Sequence, residues 1–205
     1  MVGKAASRAL LSILLTSYFL SACASSSSSA AVTAPAAGPV KTVVLVEAEG
    51  PNVELEAFLS RFLSELSDRA KFRVLDARLS GARVGALAAE PTGEAARAFQ
   101  RTWPGDVYMG ITVEKGYVKS HQQTINDRTP EGYAVQQVIV SYEVLASGSL
   151  NLADAQDGHV IATLKMTGSI GYTGDDPSAP EFPEQEAARD MATRAAKKLV
   201  TTLGR

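Results

Sequence analysis

Cysteine is nearly absent from this chain of 205 residues. Cys23 is the only one, so no disulfide can form within a chain, whatever the redox state of the compartment. Histidine is almost as scarce. His121 and His159 are the two in the sequence, and neither has a second His or a Cys at metal-ligand spacing. No Ser-His-Asp set suggests itself either, so no catalytic residue, cofactor site or metal site is expected. Charge of either sign is in short supply: Lys and Arg number 20 against 22 Asp and Glu. Such a balance lacks the basic footprint that nucleic acid binding requires. Beyond the first twenty residues there is no long apolar run and no internal repeat.

What is present begins at the N-terminus. Lys4 and Arg8 give a short positive region, Ala9 to Leu20 is almost wholly apolar, and Leu20-Ser21-Ala22-Cys23 follows. A charged start, an apolar stretch of about 7–15 residues and small residues at the cut mark a secretory signal. The run falls short of the roughly 20 residues a transmembrane helix needs. Ser25 to Ser29 is a serine run, and Ala30 to Pro39 is rich in Ala, Pro, Thr and Gly. That composition reads as a tether. Without Lys4 and Arg8 the balance is 18 against 22, near −4, so charge would not draw the mature chain to an anionic membrane.

The sequence LSAC resembles the lipobox of bacterial lipoproteins. The resemblance implies cleavage before Cys23, a diacylglycerol on its thiol, and acylation of the new N-terminus with a chain such as palmitate. Several buried acyl chains hold a protein firmly, at about 0.8 kcal/mol per CH₂. Ala24 after the cysteine, by the same resemblance, implies the outer membrane with the domain on its periplasmic face. The expected organisation is therefore a signal peptide over 1–22, a lipidated Ser/Ala/Pro-rich tether over 23–40 and one periplasmic globular domain over 41–205.

Within the domain, Thr42 to Val46 is a β-branched run and reads as a buried strand. Leu55, Phe58, Leu59, Phe62, Leu63 and Leu66 recur at helical spacing behind Asn52, a plausible N-cap. Phe72 to Asp76 is a second short strand, and the β-α-β order favours a parallel pair. Leu79 to Pro91 shows no strong period. Thr92 is placed to cap a second helix running to Trp103, with Ala95, Ala96 and Phe99 inward. Asp106 to Val113 is a third strand, and the polar stretch Lys119 to Gly132 reads as a loop.

The strongest strand signal is Val138 to Leu152, where Tyr142, Val144, Ala146, Gly148, Leu150 and Leu152 alternate with polar residues. Asp157-Gly158 marks a tight reversal, and His159 to Tyr172 returns. Gly174 to Pro183 is a loop. Asp175 and Asp176, followed by Glu181, Glu184 and Glu186, could bind calcium, but an acidic loop before a helix N-terminus, where carboxylates suit the dipole, explains them better. Glu184 to Leu203 is a final helix, with Gly204 placed to close it. The fold class expected is α/β (α+β): a mixed sheet with packed helices in the order β-α-β-α-β-β-β-α, ending in a long hairpin and a helix.

The segment YEVLASGSLNLADAQDGHVIATLKMTGS, with Asp154, Ala155 and Gly158 at its turn, and the strand GDVYMGITV resemble a group of envelope lipoproteins. That group includes the curli-secretion lipoprotein CsgG, the lipoprotein activator of penicillin-binding proteins and the N-terminal domain of TolB. The resemblance implies a shared topology and no shared site residue. It does not extend to pore formation, because Lys119 to Gly132 is short, polar and charged. The functional expectation is a membrane-anchored protein-binding accessory or assembly factor whose partner is an envelope protein, of undetermined oligomeric state. A periplasmic carrier of small molecules or lipids, and an enzyme, are the alternatives. Glu143 and Lys165, on the polar face of the long hairpin, are the candidate partner-binding residues.

Overall fold

The computed structural model describes residues 39–128, 132–174 and 179–204. Strand β1 (Thr42–Glu49) leads into helix α1 (Asn52–Arg69) and strand β2 (Arg73–Asp76). Two short helices follow, α2 (Val84–Ala89) and α3 (Glu94–Thr102). Strands β3 (Val107–Val113), β4 (Tyr117–Arg128), β5 (Ala134–Asp154) and β6 (Val160–Thr173) then precede helix α4 (Pro183–Leu203). The mixed α/β class and the closing hairpin-helix unit agree with the sequence pattern.

The six strands form one mixed sheet in the order β2-β1-β3-β5-β4, with β6 on the other side of β5. β1 lies between β2 and β3 and is parallel to both, whereas β5 is antiparallel to β3, β4 and β6. One face of the sheet carries α1 and α4. Their apolar stripes (Phe58, Phe62 and Leu66; Met191, Ala195 and Leu199) pack on Leu45, Met109, Ile111, Leu150 and Leu164 in the main core. Gly168 lets α4 approach closely, since a Cβ there would overlap the Ala187 carbonyl oxygen and the Met191 nitrogen. The other face carries α2 and α3 over a smaller core of Val44, Val46, Leu87, Ala96 and Tyr108.

Several local expectations are corrected. Asn52 opens α1 rather than capping it, and Pro51 holds the cap position. The aperiodic stretch after Leu79 contains α2. Helix α3 begins two residues after Thr92, behind Gly93, and Ala95 is exposed. Gly204 ends α4 with a negative φ of −89° instead of a left-handed cap.

The largest correction concerns Lys119 to Gly132. Most of it is strand, not loop: β4 pairs with β5 from Tyr117↔Leu145 to Arg128↔Ala134. A polar strand exposed on both faces shows no amphipathic alternation, so hydropathy gave no sign of it. β5 accordingly starts at Ala134, four residues before the apolar alternation begins.

Candidate functional site

The β4–β5 hairpin projects beyond the layered body. β3 supports β5 only from Gly148 to Asp154, and β6 only from Ser141 onward. Residues 122–128 and 134–140 pair with each other and with no other strand. A two-stranded ribbon without a packed face is marginal by itself in water.

The ribbon carries apolar side chains on both faces. Paired residues of an antiparallel ladder share a face. Tyr117, Ile125, Val135 and Ile139 therefore lie on one side, and Val118, Val138 and Val140 on the other. Tyr117, Val118, Val135 and Val138 are 52%, 48%, 43% and 49% exposed. Six of the ten exposed large hydrophobic residues found among the described residues belong to this hairpin. Lys119 Nζ sits 5.6 Å from the centroid of the Tyr117 ring, a cation–π contact that covers part of it.

The hydrogen-bond phase fixes which backbone groups are free. Glu114 N donates to Ser147 O, and Gly174 N donates to Val140 O. Odd-numbered residues of β5 thus turn toward β3 and β4, and even-numbered ones toward β6. Because odd residues of β4 oppose odd residues of β5, the N–H and C=O of Val118, Ser120, Gln122, Thr124 and Asn126 point away from the sheet. Among the described residues no other strand pairs with them, so they form an open edge.

The β6 edge is different. Ser169 N donates to Asp190 Oδ2 at 3.1 Å, and Lys198 Nζ donates to Lys165 O at 3.3 Å. Both caps come from α4. Side chains that occupy an edge in this way oppose strand addition.

Glu143 and Lys165 share the outer face of the sheet but do not meet. Glu143 is half-buried opposite Lys119 and Gly171, whereas Lys165 is exposed opposite Ser149, six positions along β6 from Gly171. Glu143 lines a shallow depression at the hairpin base with His121, Ser141, Ser169, Tyr172 and Thr173, beside the stacked Tyr142 and Tyr172 rings. His121 belongs to β4, not to a loop. The alternation of β5 put Glu143 on the polar face, where it lies, but it did not reveal the open edge, because a strand that buries nothing leaves no hydropathy signal.

Asp154, Asp157 and His159 bring two carboxylates and a ring nitrogen together at the β5–β6 turn. Hydrogen bonds account for the arrangement. Asp154 Oδ1 accepts from the Gln156 and Asp157 N–H groups at 2.7 and 3.2 Å. Asp157 Oδ1 accepts the His159 N–H at 3.0 Å and lies 2.5 Å from His159 Nδ1. The His159 backbone N–H and then its ring hold the Asp157 carboxyl below the usual carboxylate range. Gly158, at φ 72°, packs its Cα against the end of α2 near Ala88. Cys23, Asp175 and Asp176 lie outside the described residues.

Elsewhere on the α2–α3 side of the sheet, Leu87, Phe99, Trp103 and Arg83 line an open groove of about 600 Å³ between α2 and α3. Phe99 meets Tyr108 edge-to-face with the ring centroids 5.5 Å apart. The Tyr108 hydroxyl is buried with no hydrogen-bond partner among the described residues, and burial raises its pKa.

The first described residues lie at the end of the sheet opposite the hairpin. Thr42 opens β1 beside Val43, which pairs with Val107, which in turn pairs with Asp154 at the end of β5. β5 has 21 residues, so at about 3.3 Å per residue the hairpin tip stands roughly 65 Å from the start of β1.

No family model matches the chain, and no curated protein matches it. Among solved structures it is similar to the lipoprotein GNA1162 from Neisseria meningitidis, at 14% identity over 81% of this chain and 99% of that one, with a TM-score of 0.37. It is similar to the hypothetical protein CT253 from Chlamydia trachomatis, at 10% identity over 80% and 97%, TM-score 0.46. A third is the rare lipoprotein B from Shewanella oneidensis, at 12% identity over 80% and 94%, TM-score 0.35.

Proposed function

We propose that the chain is an envelope lipoprotein that works by binding, as an accessory or assembly factor, with the β4–β5 hairpin as its docking element. Lipid on Cys23 anchors it to the outer membrane, and the domain stands on the periplasmic side. The observation that carries the reading is the open β4 edge, flanked by apolar residues on both faces. A strand with unpaired N–H and C=O groups is a template for another chain. No catalysis is assigned to it. Kinship with the group of the curli-secretion lipoprotein belongs to the same proposal. Glu143, at the hairpin base, joins the proposed surface. Lys165 lies on the same sheet face, next to an edge that α4 has already capped.

Crosslinking in intact membranes tests this. Val118→Lys with Val138→Lys should abolish partner capture while the melting temperature of the purified chain stays near the parent's, because exposed substitutions move stability by about 0.5 kcal/mol or less. Glu143→Lys should weaken capture, and Lys165→Glu should leave it unchanged. Capture that survives all of these changes places the interface elsewhere. For the anchor, Cys23→Ser should leave the chain unprocessed or soluble. Normal processing and fractionation of that variant would sink the lipoprotein reading.

The α2–α3 groove favours a second reading, a carrier of a small apolar molecule. Its Trp103 is the only tryptophan in the chain, so titration with a saturated fatty acid should change tryptophan fluorescence in a saturable way. A flat titration excludes that ligand class.

A further inference from the structure

We infer that the occupant of the open edge is a second copy of this chain, paired antiparallel to itself along β4 about a two-fold axis at Gln122 or Gln123. The inference rests on the hairpin being the docking element and names what docks there.

Three observations carry it. First, the edge is self-complementary. β4 runs from Tyr117 to Arg128, so its midpoint falls between Gln122 and Gln123. The outward groups belong to even-numbered residues, and a ladder between two such edges must set even opposite even. That requirement leaves two registers near the midpoint, centred on Gln122 or on Gln123, and in each a glutamine faces its own copy. With the axis at Gln122, Ser120 faces Thr124, Val118 faces Asn126, and Lys119 faces Ile125. Like charges directly opposite would weaken the ladder, and Lys119 meets no lysine in this arrangement. Contacts of this isologous kind close as dimers and leave no further edge to recruit more copies.

Second, the free part of the ribbon has two strands, and β-structure needs a third for independent stability. A second β4 makes the ribbon four strands wide.

Third, the tether permits it. Gln122 pairs with Val140, which places it about 45 Å along β5 from the tether end. In the dimer the two tethers leave from opposite ends, roughly 90 Å apart. The stretch Ala24 to Pro39 spans about 55 Å when extended. Both lipid anchors therefore reach one bilayer with the dimer lying along it. Confinement to that surface raises the effective concentration of a pairing that buries little area.

The test uses the full chain purified in detergent, carrying single added cysteines at Gln122, Gln123 or Val138. The parent, whose Cys23 is blocked by lipid, sets the background. Sedimentation should give a dimer, and oxidation should give a disulfide-linked dimer with Gln122→Cys or Gln123→Cys but not with Val138→Cys, which lies on the other strand. Thr124→Pro removes an outward N–H and keeps the β4–β5 ladder, so it should weaken the dimer by about tenfold or more. Gln136→Pro, outward on the β5 side, should leave it intact. Circular dichroism confirms that each variant is folded. A folded monomer at every concentration, assemblies larger than dimers, or linkage through Val138→Cys would overturn the inference. If the chain is monomeric while hairpin variants still abolish crosslinks to another membrane protein, the docking reading stands and the second copy does not. If both signals are absent, both fall.

Discussion

Asp106 clamps the start of strand β1: its Oδ2 accepts the Lys41 N–H at 2.7 Å and the Thr42 N–H at 2.8 Å. The backbone completes the clamp, since Asp106 N donates to Thr42 O and Ala155 N donates to Asp106 O. One residue before β3 thus fixes the entry into β1 and ties it to the β5–β6 turn. Each hydrogen bond of this kind contributes about 0.5–1.5 kcal/mol. Asp106→Ala should lower stability by roughly 1–3 kcal/mol and speed amide exchange at Lys41 and Thr42. Unchanged exchange at those two amides would mean that the clamp does not form in solution.

Gly168 is where β6 and α4 come closest, and the close approach is backbone against backbone. A methyl group at that position has no flexible side chain to push aside. Gly168→Ala should therefore cost at least the roughly 1–3 kcal/mol typical of an overfilled core. Gly171→Ala, whose Cβ would meet only the Tyr142 carbonyl oxygen at 3.7 Å, should be nearly neutral. Equal melting temperatures for the two variants would remove the reason for a glycine at Gly168.

The contrast between these elements explains how much was legible in advance. Helix α1 was readable because Phe58, Leu59, Phe62 and Leu66 are all buried on one stripe, as the spacing requires. Leu59→Ala should cost about 2–5 kcal/mol and the exposed Ser60→Ala almost nothing in the same thermal melts. The β5 alternation was readable for the same reason, since Val144, Ala146, Leu150 and Leu152 are buried beneath α1 and α4. β4 was not, because neither face is buried by the chain itself and Gln122, Gln123, Thr124 and Asn126 read as turn or loop. α2 was missed because its six residues, VGALAA, are too few to show a period. The alternation placed Glu143 on the polar face of β5, whereas the open edge needed the β4–β5 register and the hydrogen-bond phase, which no single sequence displays.

Glu65 is a buried carboxylate held between two arginines of α1. Its Oε2 accepts from Arg69 Nε at 2.6 Å, and its Oε1 lies 2.7 Å from an Arg61 terminal nitrogen. Arg61 Nε also donates to Thr193 Oγ1 at 3.1 Å, which links α1 to α4. The Arg69 hydrogen bond, against the opposing effect of burial, holds the Glu65 carboxyl below its ordinary value. A group whose folded pKa is depressed stabilises the fold fully above its unfolded pKa, and that contribution is lost as pH falls through the folded value. The difference in melting temperature between the parent and Glu65→Gln should be largest at neutral pH and should shrink below about pH 4. A difference that is constant from pH 7 to pH 3 would show that ionisation of Glu65 contributes nothing.

Strand β6 lies at an edge of the sheet, yet the α4 side chains Asp190 and Lys198 already occupy the outward groups of Ser169 and Lys165. Edge strands left bare recruit other chains, and charged residues placed along them prevent it. The two caps make a specific difference between β6 and β4: one edge is closed from within the chain and the other is open. Asp190→Ala with Lys198→Ala should uncover β6 and add a concentration-dependent association that the parent lacks, read as a rise in sedimentation coefficient. The stability loss should be modest, because each cap is a single hydrogen bond at a solvent-exposed or part-buried site, worth about 0.5–1.5 kcal/mol. That association should persist in a chain that also carries Thr124→Pro, because it uses β6 and not β4. If the double variant sediments like the parent, the α4 caps do not guard the edge, and the difference between the two edges must come from the twist of the sheet.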